Sequence, residues 1–345
     1  MEKSTLTTID LIVSLVAILI AAYLFTNAVE ILGDRLGLSQ SGVGSVLAAV
    51  GTALPETIIP IVAILGAVFA GRNSHSAGEI GIGTILGAPF MLATLAMFVM
   101  GASILGYRHR REAGATVDVD DRVIGRDVGF FLLAFAVAAG VGLLDLPVCG
   151  DVLIALLLVA AYVLHTVQTL RSGGGLEDVP ERLTFWRQTS RAPMWAIIIQ
   201  FVGAFAIMVV GADMFVGAVE RVSEALAIPA GLISLILAPL ATELPEKFNA
   251  VLWVRDGKDA LALGNITGAM VFQSTIPVSI GILFTDWNLT GLSLLSAILA
   301  LLSGGFIYSR LMRKQHIRDW HLLVGGLYYA LFVVAAVPAI RLGFS

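Results

Sequence analysis

Ala241-Thr242-Glu243-Leu244-Pro245-Glu246 lies in the middle of a long apolar segment, and Gly51-Thr52-Ala53-Leu54-Pro55-Glu56 stands 190 positions before it. Each copy puts a proline and a glutamate where a membrane helix should hold neither. An ionisable residue at membrane depth costs roughly 2.5–3.5 kcal/mol on insertion scales, so it is functional by default. Proline at position i removes the hydrogen bond to the carbonyl at i−4, which predicts freed carbonyls at Gly51 and Ala241. Thr52 and Glu56 are four apart and share a helical face, as do Thr242 and Glu246. Each copy therefore offers a carboxylate, a hydroxyl and loosened backbone oxygens, all hard ligands of the kind that Ca²⁺ prefers. Two such sites facing each other would make a cation-binding centre.

The rest of the chain supplies the membrane. Of 345 residues, 58% are hydrophobic and only 13% charged, with a mean hydropathy of +0.92. Soluble domains carry about 25% charged residues, so the composition predicts an all-α polytopic membrane protein. One cysteine, Cys149, excludes an internal disulfide and a cysteine-based metal site. Met1 to Asp10 lacks the basic stretch and cleavage site of a signal peptide, so the first apolar run is expected to be a retained helix. No basic tract points to nucleic acid, and no Gly-x-x-x-x-Gly-Lys-Ser/Thr loop points to a nucleotide.

Apolar runs near 9–32, 41–70, 80–106, 128–146 and 149–170 are followed by a second set near 194–219, 230–254, 260–284, 289–309 and 320–340. The expectation is ten transmembrane helices in two groups of five. Residues 1–170 form the first and 193–345 the second, split by a polar linker at 171–192 that contains Ser172-Gly173-Gly174-Gly175 and Pro180. The repeat extends past the opening motif. Ala28-Val29-Glu30 matches Ala218-Val219-Glu220, and Gly83-Thr84-Ile85-Leu86-Gly87-Ala88 matches Gly264-Asn265-Ile266-Thr267-Gly268-Ala269. With ten spans, the loops after helices 1, 3, 5, 7 and 9 hold sixteen Lys and Arg against four on the opposite side. The positive-inside rule then puts both termini outside the cytoplasm. Halves with an odd number of spans must run in opposite orientations, the inverted-repeat design of secondary transporters with a site at midplane.

On these residues the sequence resembles the cation/calcium antiporter superfamily, most closely the sodium/calcium exchanger membrane domain. That family carries two inverted five-helix repeats, each with a Gly-Thr-Ser-Leu-Pro-Glu motif followed by Gly-Asn-x-x-Gly-Ser-Asn. The resemblance covers the whole ten-helix plan and is specific over the four short stretches quoted above. It implies that Glu56 and Glu246 bind the cation, that Thr52 and Thr242 add oxygen beside them, and that Asn265 is the second-motif asparagine. The departures are Ala53, Ala88 and Ala269 in place of motif serines, Glu243 in place of the fourth, and Leu92 and Gln273 at the polar position four further on. Three alanines and a leucine bring no side-chain oxygen, which weakens the case for sodium coupling more than the case for cation binding.

Glu243 and Lys247 are additions. Glutamate four before lysine is the favourable helical ion-pair orientation. Two readings stay open: Glu243 is a third acid for cation or proton, or Lys247 permanently neutralises it, a built-in positive charge where a co-ion would otherwise sit. Gln273 is a ligand or an interhelical hydrogen bond. A threonine hydroxyl in a helix also bonds back to its own backbone, the plain alternative for Thr52 and Thr242. Asp213 reads as vestibule or structural pair, Glu30 and Glu220 as solvated helix ends, and Arg108-His109-Arg110-Arg111 as a cytoplasmic anchor. His75, His109, His165, His316 and His321 read as loop or span-end residues with no metal.

The expected function is a secondary antiporter in the cytoplasmic membrane, not an enzyme. It would export Ca²⁺ in exchange for Na⁺ or H⁺ by alternating access, with inorganic cations and the lipid bilayer as its partners and no resident cofactor. Protons are credible because buried carboxylates hold them more readily than exposed ones. The rivals are an antiporter for Mg²⁺ or Mn²⁺ and a passive cation channel.

Overall fold

Backbone N–H and C=O groups find no water inside a bilayer, so apolar runs of this length must satisfy themselves as helices. The computed structural model describes residues 2–35, 56–66, 74–144, 146–171, 183–186, 192–313 and 316–342, and these are almost wholly helical. In chain order they form α1 (Glu2–Arg35), α2 (Glu56–Gly66), α3 (Ser74–Met91), a π-helical turn (Leu92–Ala96), α4 (Met97–Tyr107), α5 (Asp121–Val141) and α6 (Val148–Arg171). Then come α7 (Met194–Leu226), α8 (Ala230–Thr242), α9 (Leu244–Arg255), α10 (Asp259–Gln273), α11 (Ile276–Phe284), α12 (Gly291–Met312) and α13 (Asp319–Leu342). Among the described residues eight stretches are long and apolar enough to cross a membrane, and Glu56–Gly66 and Ala230–Leu240 are shorter apolar helices. The chain is a multi-pass, all-helical membrane protein.

The breaks in these helices have local causes. Between α8 and α9, Glu243 leaves helical geometry at φ −95°, ψ 4°, flanked by Pro239 inside α8 and Pro245 at the start of α9. Neither proline can donate to the carbonyl one turn back. The helical ladder still bridges the break, through Glu243 N–H to the Pro239 carbonyl (3.0 Å) and Lys247 N–H to the Glu243 carbonyl (3.1 Å). Between α10 and α11, Pro277 leaves the Gln273 carbonyl without its helical donor. Thr275 turns its hydroxyl onto the Val271 and Phe272 carbonyls, 2.9 Å to each. At the matching place in the first half, 181 residues earlier, the helix widens into the π turn Leu92–Ala96. Such turns are local insertions that re-aim the chain and recur at functional sites.

Burial grades the helices from centre to rim. In an 18-residue apolar window of each span, 78% of the residues are buried in His75–Tyr107 and 72% in Asp259–Phe284 but only 17% in Val148–Thr169, so α3–α4 and α10–α11 are the axis and α6 is the outer wall. Leu153, Leu156, Leu157 and Leu164 of α6 are exposed, as lipid-facing residues must be. The main packings are α1 on α7, α3 on α8, α4 on α13, α5 on α12 and on α10, α6 on α11, α12 on α13, α9 on α10 and on α4, and α3 on α12. Small residues permit the closest of them. A Cβ on Gly83 would lie 2.9 Å from the Gly231 carbonyl carbon, and one on Gly87 would lie 2.9 Å from that of Leu235 and 2.8 Å from Pro239 Cγ. The backbone of α3 therefore runs directly on that of α8, the small-residue contact that membrane bundles favour.

Loop contacts tie the ends together. Arg111 makes a buried, two-pronged ion pair with Asp259 (2.7 Å from Nη1 to Oδ1), donates to the Thr116 carbonyl at 3.1 Å, and Asp259 also accepts the Asp118 N–H. Thr116 forms an antiparallel bridge with Arg318. Arg111 is thus a buried clasp and not the surface anchor expected of the 108–111 run. Arg35 donates to the Ala192 carbonyl. Elsewhere Asp10 pairs with Arg221 at 2.9 Å, and Leu289 N–H bonds the Gly142 carbonyl at 2.8 Å. The middle of the interhelical linker is held between α1 and α7. Asn27 Oδ1 accepts from Thr184 N–H, Thr184 Oγ1 and Gln200 Nε2 at 2.9–3.0 Å, while Leu183 and Trp186 pack against Ala28, Ile31 and Ile197.

Candidate functional site

Glu56 lies in α2 and is buried, with 3% of its surface exposed. Ile58, Ile59 and Ala63 of α2 share an apolar cluster with Ala230, Ile233 and Ala238 of α8, which sets the Glu56 helix beside the helix that leads to the second motif. Thr52, with Gly51 and Pro55, lies outside the described residues, as does the side chain of Glu246. The backbone of Glu246 belongs to the first turn of α9.

The second motif is centred on the break. Thr242 ends α8 and is buried, its hydroxyl donating to the Ala238 carbonyl at 3.0 Å. That bond uses its hydrogen and leaves oxygen lone pairs available. The Glu243 and Lys247 side chains are 1% and 7% exposed, and Glu243 Oε2 lies 2.8 Å from Lys247 Nζ. The Gln273 side chain, at the last residue of α10, adjoins the Glu243 carboxylate. Glu243 Oε1 and Gln273 Oε1 are both buried with no hydrogen-bond partner among the described residues. Buried polar atoms are nearly always bonded, so two adjacent orphan acceptors call for a donor or a cation. Thr84 sits at the position that matches Asn265. It is 1% exposed, and its hydroxyl also lacks a partner among the described residues.

The structure thus brings Thr242, Glu243, Lys247 and Gln273 together. It also places α10 against both α3 and α9. Of the two readings of Glu243, the ion pair with Lys247 is present, yet one carboxylate oxygen stays free of it. The donors at this break are carboxylate, amide and hydroxyl oxygens, a hard set suited to Ca²⁺ and unsuited to soft metals. Among the described residues no three His, Cys, Asp or Glu side chains gather closely enough to hold a metal on their own.

One polar cluster escaped sequence reading. Asp127 of α5 is buried, 3.1 Å from His165 Nε2 and 3.5 Å from Arg126 Nε, with Thr267 of α10 at 3.4 Å. His165 is therefore a buried partner of an acid and not a simple span-end residue. The sequence offered little signal, since Asp127 stands just before the apolar run 128–146 and directly after Arg126 of the basic loop. Asp213 faces outward, and Glu220 is half-buried in α7.

Comparison with known proteins places this geometry. The protein is 27% identical to the inner membrane protein YrbG of Escherichia coli over 295 residues, 84% of this chain and 83% of that one. It is 22% identical to the uncharacterized membrane protein MJ0091 of Methanocaldococcus jannaschii, over 92% of this chain and 93% of that one. The fold matches the H⁺/Ca²⁺ exchanger CAX with a TM-score of 0.70 and 17% identity, covering 98% of this chain and 86% of the other. It matches the sodium-calcium exchanger NCX_Mj with a TM-score of 0.59 and 17% identity, covering 96% and 98%. The sodium/calcium exchanger protein family model matches residues 7–170 and 196–338, and the chain belongs to that family.

Proposed function

We propose that this chain is a secondary antiporter that exchanges Ca²⁺ for a monovalent counter-ion by alternating access, through ten spans built as two inverted repeats, residues 1–170 and 193–345. The observation that carries the reading is the break between α8 and α9 at Glu243, inside the second motif stretch, while the buried Glu56 of the first motif lies in α2, whose apolar residues share a cluster with α8. Glu56 and Glu246 would bind the cation from opposite halves, with Thr52, Thr242 and Gln273 adding neutral oxygen.

The packing supports the inverted repeat. Numbering the spans α1, α2, α3–α4, α5, α6, then α7, α8–α9, α10–α11, α12, α13, an exchange of the two halves carries the α4–α13 contact into α11–α6. It carries α3–α12 into α10–α5, and it maps α1–α7 and α5–α12 onto themselves. Every loop contact also supports the alternation. Arg35–Ala192, Arg111–Asp259 and Thr116–Arg318 join segments after odd-numbered spans, whereas Asp10–Arg221 and Gly142–Leu289 join segments on the other side. The excess of Lys and Arg on the first side favours a cytoplasmic membrane location with both termini outside. The inner-membrane relative of E. coli agrees with that location.

Exchange follows from the acids. A buried carboxylate that releases its metal must take another positive charge, because an unpaired one is too costly to leave. Metal and counter-ion therefore occupy the centre in turn. Of the two counter-ions, H⁺ has the better support, since Ala53, Ala88, Ala269 and Leu92 bring no oxygen to a sodium site.

Uptake of radiolabelled Ca²⁺ into proteoliposomes with imposed H⁺ or Na⁺ gradients tests the proposal. Stimulation by one gradient, lost in both Glu56→Gln and Glu246→Gln, is expected. Stronger competition by Mg²⁺ or Mn²⁺ than by Ca²⁺ itself would reassign the cargo. Uptake indifferent to both gradients would defeat antiport in favour of a passive channel.

A further inference from the structure

Glu243 and Lys247 come as a pair and only in one half. At the same register of the first repeat stand Ala53 and Thr57, which carry no charge. The acid lies at the α8–α9 break, three residues before Glu246 and against Gln273 of α10, so the pair belongs to the centre of the candidate site and not to its rim. Both side chains are out of water, at 1% and 7% exposure, and 2.8 Å apart. Removing one partner of a buried pair leaves a charge with nothing to neutralise it, so the contact persists whether or not the site is loaded.

We propose that the Lys247 ammonium is a tethered cation of the transport site. It cancels the charge that Glu243 adds, so the centre takes one divalent cation with no monovalent ion beside it. This inference rests on the reading of Glu56 and Glu246 as the cation-binding acids. The three motif glutamates, Glu56, Glu243 and Glu246, bring three negative charges when ionised, and Lys247 brings one positive charge. The balance is that of one divalent ion. An ammonium is a compact, point-like charge, closer to an alkali ion than a guanidinium is. It engages Oε2 alone, and Oε1 together with Gln273 Oε1 stays open to a ligand. Charge is removed from the centre while its oxygens are kept.

The test is equilibrium binding of radiolabelled Ca²⁺ to purified, detergent-solubilised full-length protein, with Na⁺ either present or replaced by choline. Glu243→Gln leaves the ammonium uncancelled and should weaken Ca²⁺ by about tenfold or more, the scale of breaking one buried charge pair. Lys247→Gln adds one net negative charge to the centre, and its Ca²⁺ affinity should rise with added Na⁺, a co-ion effect opposite in sign to any competition by Na⁺ as counter-ion and absent from the wild type. Glu243→Gln/Lys247→Gln, neutral overall, should return toward the wild type in both respects. Lys247→Arg keeps the charge and should show no such rise, which separates charge from shape if Lys247→Gln folds poorly. Gel filtration reports whether each variant remains monodisperse. Single variants that weaken Ca²⁺ alike, with a double variant no better than either, would overturn the tethered-cation assignment. So would a Lys247→Gln protein whose Ca²⁺ affinity does not rise with Na⁺. Wild-type protein that binds no Ca²⁺, or a Glu56→Gln variant that binds it as well as the wild type, would instead remove the reading beneath it and the assignment with it.

Discussion

Gly87→Ala probes the contact on which the site is hung. The new Cβ would fall 2.8 Å from Pro239 Cγ and 2.9 Å from the Leu235 carbonyl carbon, and nearer still to that carbonyl oxygen. Carbon pairs settle at about 3.5–4.0 Å, so α3 and α8 must part by roughly 0.7–1 Å. Neither obstacle can turn aside, one being backbone and the other a proline ring. Overpacking of this kind costs about 1–3 kcal/mol. Alanine regains up to about 1 kcal/mol over glycine within a helix, which leaves a net loss of up to roughly 2 kcal/mol. Gly106→Ala, in the same span, has nothing within 4 Å of its new Cβ and should be neutral or stabilising. The two substitutions share their chemistry and differ in sign. Function should suffer more than stability, because α8 carries Thr242 up to Glu243, and metal–ligand distances tolerate only about 0.2 Å. Thermal unfolding in detergent should place Gly87→Ala up to roughly 6 °C below the wild type and Gly106→Ala level with it or above. Calcium uptake should fall in the first variant alone. A Gly87→Ala protein as stable and as active as the wild type would mean that α3 and α8 are not in this contact.

The loop clasp predicts that Asp259→Asn, which strands the buried Arg111 guanidinium, lowers stability by about 3–5 kcal/mol, and that Arg111→Met/Asp259→Leu recovers most of it; thermal unfolding of the three proteins decides. Asn27→Leu removes the acceptor shared by Thr184 and Gln200, a loss of about 1–3 kcal/mol, and should speed chymotryptic cleavage after Phe185 or Trp186 by about tenfold or more. Equal cleavage rates would detach the linker from that asparagine. Asp127→Asn keeps the shape of the α5–α6–α10 cluster but removes the charge facing His165 and Arg126, and should destabilise by roughly 1–3 kcal/mol without changing the selectivity among divalent cations.

Much of this was legible because membrane helices announce themselves in composition. The apolar runs marked the long helices, and the second Pro-Glu stretch marked the break between α8 and α9, whereas Gly51 to Pro55 of the first lie outside the described residues. Glu243 and Lys247 could be paired on spacing alone, as a four-residue separation fixes neighbours on a helix. Contacts of high sequence separation were beyond reach. Asp259 lies 148 residues from Arg111, and Gln200 lies 173 from Asn27, and no local periodicity carries such pairings. That is why Arg111 read as a surface anchor and His165 as a span end. The π turn at Leu92–Ala96 was invisible for another reason. The proline at position 89 precedes it, but the residues of the turn itself are ordinary helix formers, and only the packed neighbours select the wider winding. Thr242 illustrates a subtler gap, because its back-bond to Ala238 was expected of any helical threonine and says nothing against ligation. Among the described residues eight stretches are long and apolar enough to cross a membrane; of the two runs that carry the motifs, the second is divided at Glu243 into α8 and α9, and the first is described only over Glu56–Gly66.

The dovetailing of α1 with α7, α3 with α8, α4 with α13 and α6 with α11 bears on how the protein is made. Most of the extensive interfaces join an early helix to a late one, so a nascent chain that has reached Arg171 has yet to meet its partners. Its polar residues, Arg111 and Asn27 among them, must wait for Asp259, Thr184 and Gln200, groups not yet synthesised. The same arrangement makes the two gene halves suitable for separate expression, since each would find in the other the surface it cannot supply for itself.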